Sequence, residues 1–162
     1  MRSKSSINLP IKISRLSIFF VDNTSYVMYH FIDMNDKWTV IYYETSEGKC
    51  PVTDFIDSRS KRNQAKVLSL ISFLEENGPT LPRPYADLLE DGIHELRIKL
   101  SGDQIRVLYF FCYKDFIILT HAFNKTADKV AKSEIKKAQK FREDFLKRFK
   151  EEQLREVQNE DF

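Results

Sequence analysis

Five residues of types that handle phosphates and protons recur over a short stretch of this chain: Glu95, Arg97, Arg106, His121 and Lys125. Arginine and lysine can neutralise the charge that develops on a phosphate during its transfer. Histidine can move a proton because it titrates near neutral pH. RNA cleavage needs a proton removed from a 2′-hydroxyl and another delivered to the leaving 5′-oxygen. The five residues therefore predict a site that holds RNA and could cut it.

Three strand-like segments must position these residues, at 93–100, 104–113 and 116–123. The short turns between them predict an antiparallel meander. Another strand is predicted at 38–43. Helices are predicted at Pro51, at about 59–77 with a cap at Asp57-Ser58, and from Lys129 onward. The fold class is therefore α+β, with a small antiparallel sheet, two N-terminal helices and a long C-terminal helix, and we expect the helices to cover one sheet face.

Alternation along the first meander strand separates a charged face from an apolar face. Glu95, Arg97 and Lys99 follow Ile93 on the face that we expect to be open, and the other face is the expected core. The charged row is either a solvated surface or a binding site for RNA. Arg106 lies in an otherwise apolar strand, so it needs a partner. That partner is either Glu95, in a structural ion pair, or an anionic ligand.

His121 and two aromatic residues of the meander each allow a structural and a functional interpretation. His121 shares its alternation with Ile117 and Leu119, which predicts a histidine at the edge of the core; as a functional group it would transfer a proton. Tyr109 and Phe110 could stack on bases, although aromatic residues in strands more often belong to the core. The scattered histidines and cysteines show no metal-site spacing. No metal and no cofactor are predicted.

Positive charge is concentrated in one part of the chain. The formal net charge is only +2, but residues 125–150 hold ten Lys or Arg against four acids. The last residues are acidic instead. Lys129, Lys132 and Lys136 belong to a basic helix face that is expected to contact phosphates, the alternative being a solvated exterior.

The size and composition fit one domain and a reduced environment. The chain has 162 residues, of which 42% are hydrophobic, enough for one core. We expect a poorly structured extension at 1–33, a domain at 34–155 and an acidic tail at 156–162, and translation starting at Met28 or Met34 is a hypothesis. Two distant cysteines predict a cytoplasmic protein. No apolar run is long enough to predict a membrane helix.

Four linked motifs carry a family resemblance. They are Gly92-Ile-His-Glu95-Leu96-Arg97, Arg106-Val107-Leu108-Tyr109-Phe110-Phe111, His121-Ala-Phe123-Asn-Lys125 and Lys132-Ser133-Glu134-Ile135-Lys-Lys-Ala138. Together they resemble the phage-derived branch of HigB-like toxins in the RelE/ParE superfamily of type II toxin–antitoxin systems. The resemblance covers about Trp38 to Arg148 in the family's order. Residues Met1 to Asp33 lie outside it.

The resemblance implies a RelE-like fold and an endoribonuclease that cuts mRNA, commonly on the translating ribosome, and so inhibits translation and arrests growth. It also implies a small helix-turn-helix antitoxin of the HigA type as partner. The matching site positions are Glu95, Arg97, Arg106, Phe110, His121 and Lys125. Two alternatives remain open: a ParE-like inhibitor of DNA gyrase, and an inactive remnant that still binds an antitoxin.

Overall fold

The computed structural model describes residues 38–160. The extension predicted at 1–33 and the two proposed start codons, Met28 and Met34, lie outside these residues. Within 38–160, no helix is long and apolar enough to cross a membrane.

Within the described residues, a five-stranded sheet organises the fold, in the order β1-β5-β4-β3-β2. The strands are β1 (Thr39–Tyr42), β2 (Ala86–Glu90), β3 (Ile93–Lys99), β4 (Gln104–Cys112) and β5 (Phe116–Asn124). The predicted meander is confirmed, because β4 pairs antiparallel with both β3 and β5. The sheet is nevertheless mixed, because β1 pairs parallel with β5.

Strand β2 was not among the strands predicted from the sequence. Asp91 and Gly92, at φ +50° and +70°, form the two-residue turn that joins β2 to β3. Positive φ at both central residues of a hairpin turn is typical of Asp-Gly. The dipeptide is therefore a hairpin signal, and β2 is the strand that it creates.

Helices cover both faces of the sheet, so the prediction that they cover one face is wrong. Helices α1 (Pro51–Asp57) and α2 (Lys61–Asn77) cover one face, and α3 (Lys132–Arg148) and α4 (Glu151–Glu160) cover the other. Each face has its own core. On the first, Val67, Ile71 and Leu74 of α2 pack against the sheet, and on the second Ile135, Ala138 and Phe145 of α3 do so. Full burial of a Val, Leu, Ile or Phe side chain contributes roughly 1.5–3 kcal/mol.

The helix ends follow local hydrogen bonding. Pro51 begins α1, where its missing N–H costs nothing. The predicted cap at Asp57-Ser58 is wrong, because Ser58 ends α1 and Ser60 caps α2 by accepting a hydrogen bond from the Asn63 N–H. Helix α3, predicted from Lys129 onward, begins at Lys132. Helix α4 crosses the boundary expected at residue 155, and buried Leu154 packs it onto the fold.

Gly78 offers a sharp test of the packing around α2. It ends this helix at φ +51°, and a Cβ built there would overlap the indole of Trp38. Gly78→Ala is therefore expected to lower the free energy of unfolding by about 1–3 kcal/mol or more, the usual cost of overpacking. Urea unfolding measures this change. Gly102→Ala is the control, because it also has positive φ but no atom within 4 Å of the added Cβ; equal losses in the two variants would rule out the clash.

Candidate functional site

The predicted residues gather at the end of the sheet where β3 and β5 finish and β4 begins. Helix α3 starts here and runs toward the opposite end, since Glu134 near its start contacts His121 and Arg142, further along, contacts Asp91 in the β2–β3 turn. The carbonyl of Phe149, just past α3, accepts from the Tyr113 hydroxyl at the β4–β5 turn. The start of α3 therefore borders β5, at the same end of the sheet as Arg97 and Lys99 of β3.

Two arginines face each other across β3 and β4, and one glutamate holds both. Arg97 is the register partner of Arg106. Glu95 Oε1 accepts from Arg97 Nε at 2.7 Å, and its Oε2 lies 2.8 Å from Arg106 Nε. The second pair is an ion pair whose angle does not make a hydrogen bond. Asp87 Oδ2 also accepts from Arg97, at 2.8 Å.

Burial decides between the two interpretations of Arg106. Its side chain is 6% exposed and that of Glu95 is 3% exposed, so the pair is hidden from solvent. Arg106 Nη1 donates to the carbonyl of Ile105 at 3.0 Å. A buried charge needs such partners. Arg106 is therefore in a structural ion pair with Glu95, and a phosphate does not reach it in this arrangement. The row predicted to lie on an open face is in fact buried at Glu95 and exposed only at Lys99.

His121 faces α3, and not the side predicted from Ile117 and Leu119. Leu119 pairs with Tyr109 and His121 pairs with Leu108, which leaves Thr120 as an extra residue in β5. This β-bulge shifts the alternation by one residue. The buried Thr120 hydroxyl donates a hydrogen bond to the Leu108 carbonyl at 2.9 Å, which links the extra residue of the bulge to β4.

The bulge brings His121 to a carboxylate at the start of α3. Its Nε2 lies 2.6 Å from Glu134 Oε2, and its Nδ1 lies 3.1 Å from Thr120 Oγ1. Burial lowers the pKa of His121, the Lys137 ammonium also lowers it, and the Glu134 hydrogen bond opposes this. A neutral imidazole protonated at Nε2 donates to Glu134. Its Nδ1 then receives no proton from Thr120, whose hydroxyl donates to the Leu108 carbonyl. The Glu134 side chain is 31% exposed, so it connects the buried histidine with solvent.

The two described histidines predict a loss of stability in mild acid. Burial lowers the pKa of both His121 and His94. The unfolded chain, with a histidine pKa of about 6.5, therefore binds protons before the folded chain does. The free energy of unfolding is therefore unaffected by these histidines above about pH 6.5, and it falls as the pH drops below that value. Urea unfolding at several pH values measures this, with His94→Gln/His121→Gln as the matched variant. A fall of the same size in that variant would contradict the prediction.

Similarity to known proteins follows the same part of the chain. A family model described as Phage derived protein Gp49-like (DUF891) matches residues 54–143, more than half of the chain. The chain belongs to this RelE-type toxin family. The match runs from α1 into α3 and includes every residue of the site described above. No curated protein matches the chain.

In this Gp49-like protein, the predicted RNA-binding residues fall into two groups. Tyr109 and Phe110 are each 1% exposed and lie in the cores on opposite faces of the sheet, so neither ring is accessible to a base and the stacking prediction is wrong. The lysines are accessible: Lys99, Lys129, Lys132 and Lys136 are exposed. Lys125 is half-buried, and its N–H donates to the Gln104 carbonyl at 2.7 Å, which fixes it beside the start of β4.

Sequence reasoning missed Glu134 and Asp87 as members of this site. Glu134 recurs with Val130 and Ala138 at helical spacing, and a charged residue in an apolar stripe is a signal for a buried partner. Asp87 gave no comparable signal, because β2 itself was missed. The site of the Gp49-like protein therefore offers an accessible carboxylate backed by histidine, with nearby cations. Among residues 38–160, no three His, Cys, Asp or Glu side chains gather as metal ligands.

Proposed function

We propose that this Gp49-like protein is a HigB-like toxin of a type II toxin–antitoxin system that cleaves mRNA in the cytoplasm and thereby inhibits translation. The observation that carries the proposal is the His121–Glu134 pair at 2.6 Å, beside the strand ends that hold Arg97 and Lys125. A proton-transfer pair beside cations is what metal-independent cleavage of a phosphodiester requires.

The proposed reaction is attack of a 2′-oxygen on the adjacent phosphorus. The 2′-hydroxyl proton passes to the partly exposed Glu134 carboxylate, which the hydrogen bond from His121 Nε2 holds in place. The bond from phosphorus to the 5′-oxygen breaks, and the products are a 2′,3′-cyclic phosphate and a 5′-hydroxyl, whose proton comes from water. Arg97, 28% exposed, and Lys125 would hold the phosphate. Glu95 and Arg106 act as positioning residues for Arg97.

The partners follow from the same proposal. An mRNA, bound in the ribosome, would be the substrate, and a helix-turn-helix antitoxin of the HigA type would neutralise the toxin. The exposed lysines at the start of α3 and in the loop before it, Lys129, Lys132 and Lys136, are suited to phosphate groups because no carboxylate within residues 38–160 lies in ion-pair distance of them. In this proposal these three lysines bind phosphates and take no part in the cleavage reaction.

Induction in a bacterial host that lacks the antitoxin tests the function. Growth and mRNA 5′ ends are followed together after induction of the wild-type chain and of Lys125→Ala. The proposal expects growth arrest with discrete new 5′ ends, both reduced in Lys125→Ala and retained in the control Lys114→Ala, an exposed lysine in the β4–β5 turn. Arrest without new ends would overturn the nuclease assignment.

One observation favours a second candidate, a toxin that acts on a protein or a remnant that binds its antitoxin. Asp87 and Glu95 already neutralise Arg97, and Glu95 neutralises Arg106, so two of the predicted phosphate ligands have carboxylate partners. DNA damage signalling with intact mRNA would identify a ParE-like gyrase inhibitor. Absence of growth arrest would identify the inactive remnant.

A further inference from the structure

A second group of cations lies outside the site described above, in an open cleft at the same end of the sheet. The cleft has a volume of about 520 Å³. Its walls are the first two turns of α2 and the end of β3 with the turn that follows it. The lining residues are Arg62, Asn63, Lys66, Lys99, Leu100 and Ser101.

The charge in this cleft is not neutralised by any carboxylate within residues 38–160. Six other arginines have a carboxylate within ion-pair distance: Arg83, Arg97, Arg106, Arg142, Arg148 and Arg155. Arg59 has none within residues 38–160 and lies over the Phe55 ring instead. Within residues 38–160, no carboxylate lies in that range of Arg62, Lys66 or Lys99. The cleft therefore concentrates positive charge that has no carboxylate partner in the part of the chain that the structure describes.

The positive charge of the cleft lies partly at the start of α2, where it opposes helix formation. Lys61 and Arg62 occupy the first turn of α2, which contains no acidic residue. The N-terminal end of a helix carries partial positive charge, so cations there work against helix formation. An external anion would reverse that effect, because the N-terminal end of the helix and the nearby cations both favour negative charge.

The position of the cleft suggests what the anion is. Lys99 follows Arg97 by two residues in β3, about 7 Å along the strand. Its register partner is Gln104, whose carbonyl accepts from the Lys125 N–H. The cleft thus continues the cationic edge of the candidate site around the end of the sheet and onto the side covered by α2. A chain of phosphates can follow that path, whereas a single small anion would occupy only one part of it.

We infer that this cleft is a second anchoring site that binds the phosphodiester backbone of single-stranded RNA away from the point of cleavage. The inference deepens the proposed function and rests on it for the identity of the polyanion. Arg62 and Lys66 supply the charge on the α2 side, and Lys99 links the cleft to the candidate site. RNA held at two places is fixed in direction across the strand ends.

Binding of a non-cleavable RNA tests the inference without relying on catalysis. The probe is a short fluorescent single-stranded RNA with 2′-O-methyl groups, which have no hydroxyl to attack the phosphorus. Its affinity for the full chain is measured over a range of KCl concentrations. Because each neutralised phosphate of a single strand contributes about 0.7 to the slope of log affinity against log salt, Arg62→Gln/Lys66→Gln is expected to weaken binding and to make that slope shallower by about 1.4.

Two matched variants separate the cleft from general charge and from misfolding. Lys147→Gln/Lys150→Gln removes two exposed charges at the opposite end of the sheet, and we expect a change in slope well below that of the cleft variant. Arg62→Lys/Lys66→Arg keeps both charges and should retain the wild-type slope. An unchanged slope in Arg62→Gln/Lys66→Gln overturns the inference, as does binding of an acidic peptide that depends on the cleft more strongly than RNA binding does.

The result also distinguishes this inference from the proposed function. If the wild-type chain binds the probe through the cleft but produces no new mRNA 5′ ends, the anchoring site stands and the nuclease assignment fails. If the chain cuts mRNA and the cleft variant binds and cuts like the control, the inference fails alone. Absence of any RNA binding by the wild-type chain overturns both.

Discussion

Replacing Glu95 with alanine is expected to lower the free energy of unfolding by about 3–5 kcal/mol, the usual cost of removing one partner of a buried ion pair. The alanine would leave the Arg106 guanidinium buried, with the Ile105 carbonyl as its remaining hydrogen-bond partner. The substitution affects Arg97 less, because Asp87 still accepts a hydrogen bond from its guanidinium. Urea unfolding at neutral pH measures the loss.

Two controls show whether the loss comes from the unpaired charge. Glu90→Ala removes an exposed carboxylate from β2 and is expected to change stability by no more than about 0.5 kcal/mol. Glu95→Leu/Arg106→Met removes both charges, and such replacements are often neutral or stabilising. The explanation is wrong if Glu95→Ala is as mild as Glu90→Ala, or if the double variant is as unstable as the single one.

Replacing Glu134 with glutamine is expected to slow mRNA cleavage by about 10²–10⁴, the range for loss of a proton-transfer group. Glutamine keeps the shape of the side chain and can still accept from His121 Nε2, so the fold should be retained. Glutamine cannot take up the 2′-hydroxyl proton. The measurement is the initial rate at which defined mRNA 5′ ends appear with purified protein and ribosomes.

The matched control for this variant lies on the same helix. Glu143 is exposed and has no ion pair within residues 38–160, so Glu143→Gln removes one carboxylate from α3 without touching the site. The two thermal unfolding midpoints should agree. Equal cleavage rates for Glu134→Gln and Glu143→Gln would exclude Glu134 from the reaction, even where the wild-type chain is confirmed as a nuclease.

Local signals in the sequence predicted most of the secondary structure. The meander follows from short turns between alternating segments, and the end of α2 follows from Asn77-Gly78-Pro79. These features depend on residues that are neighbours in the chain. The parallel pairing of β1 with β5 has no local signature, because strands so far apart in sequence give no turn that records their direction.

The candidate site was predictable in its residue types but not in its geometry. The sequence named both possible partners of Arg106, and only the register of β3 with β4 identifies Glu95 as the one that contacts it. For His121, the sequence did not predict even the side of the sheet on which the residue lies. Strict alternation assigned it to the wrong face, because a bulge at Thr120 depends on long-range pairing with β4. Glu134 could then be recognised only once His121 was placed opposite α3.

The pairing of β1 with β5 has a consequence for the nascent chain. Of the described strands, β1 is made first and β5 last, yet they are neighbours in the sheet. Joining such distant segments is slow because a long loop must close first. An incomplete polypeptide leaves Val40 and Ile41 without the strand they pair with. It also lacks His121, which the same late strand carries, so a prematurely released chain has neither a complete sheet nor the histidine of the site.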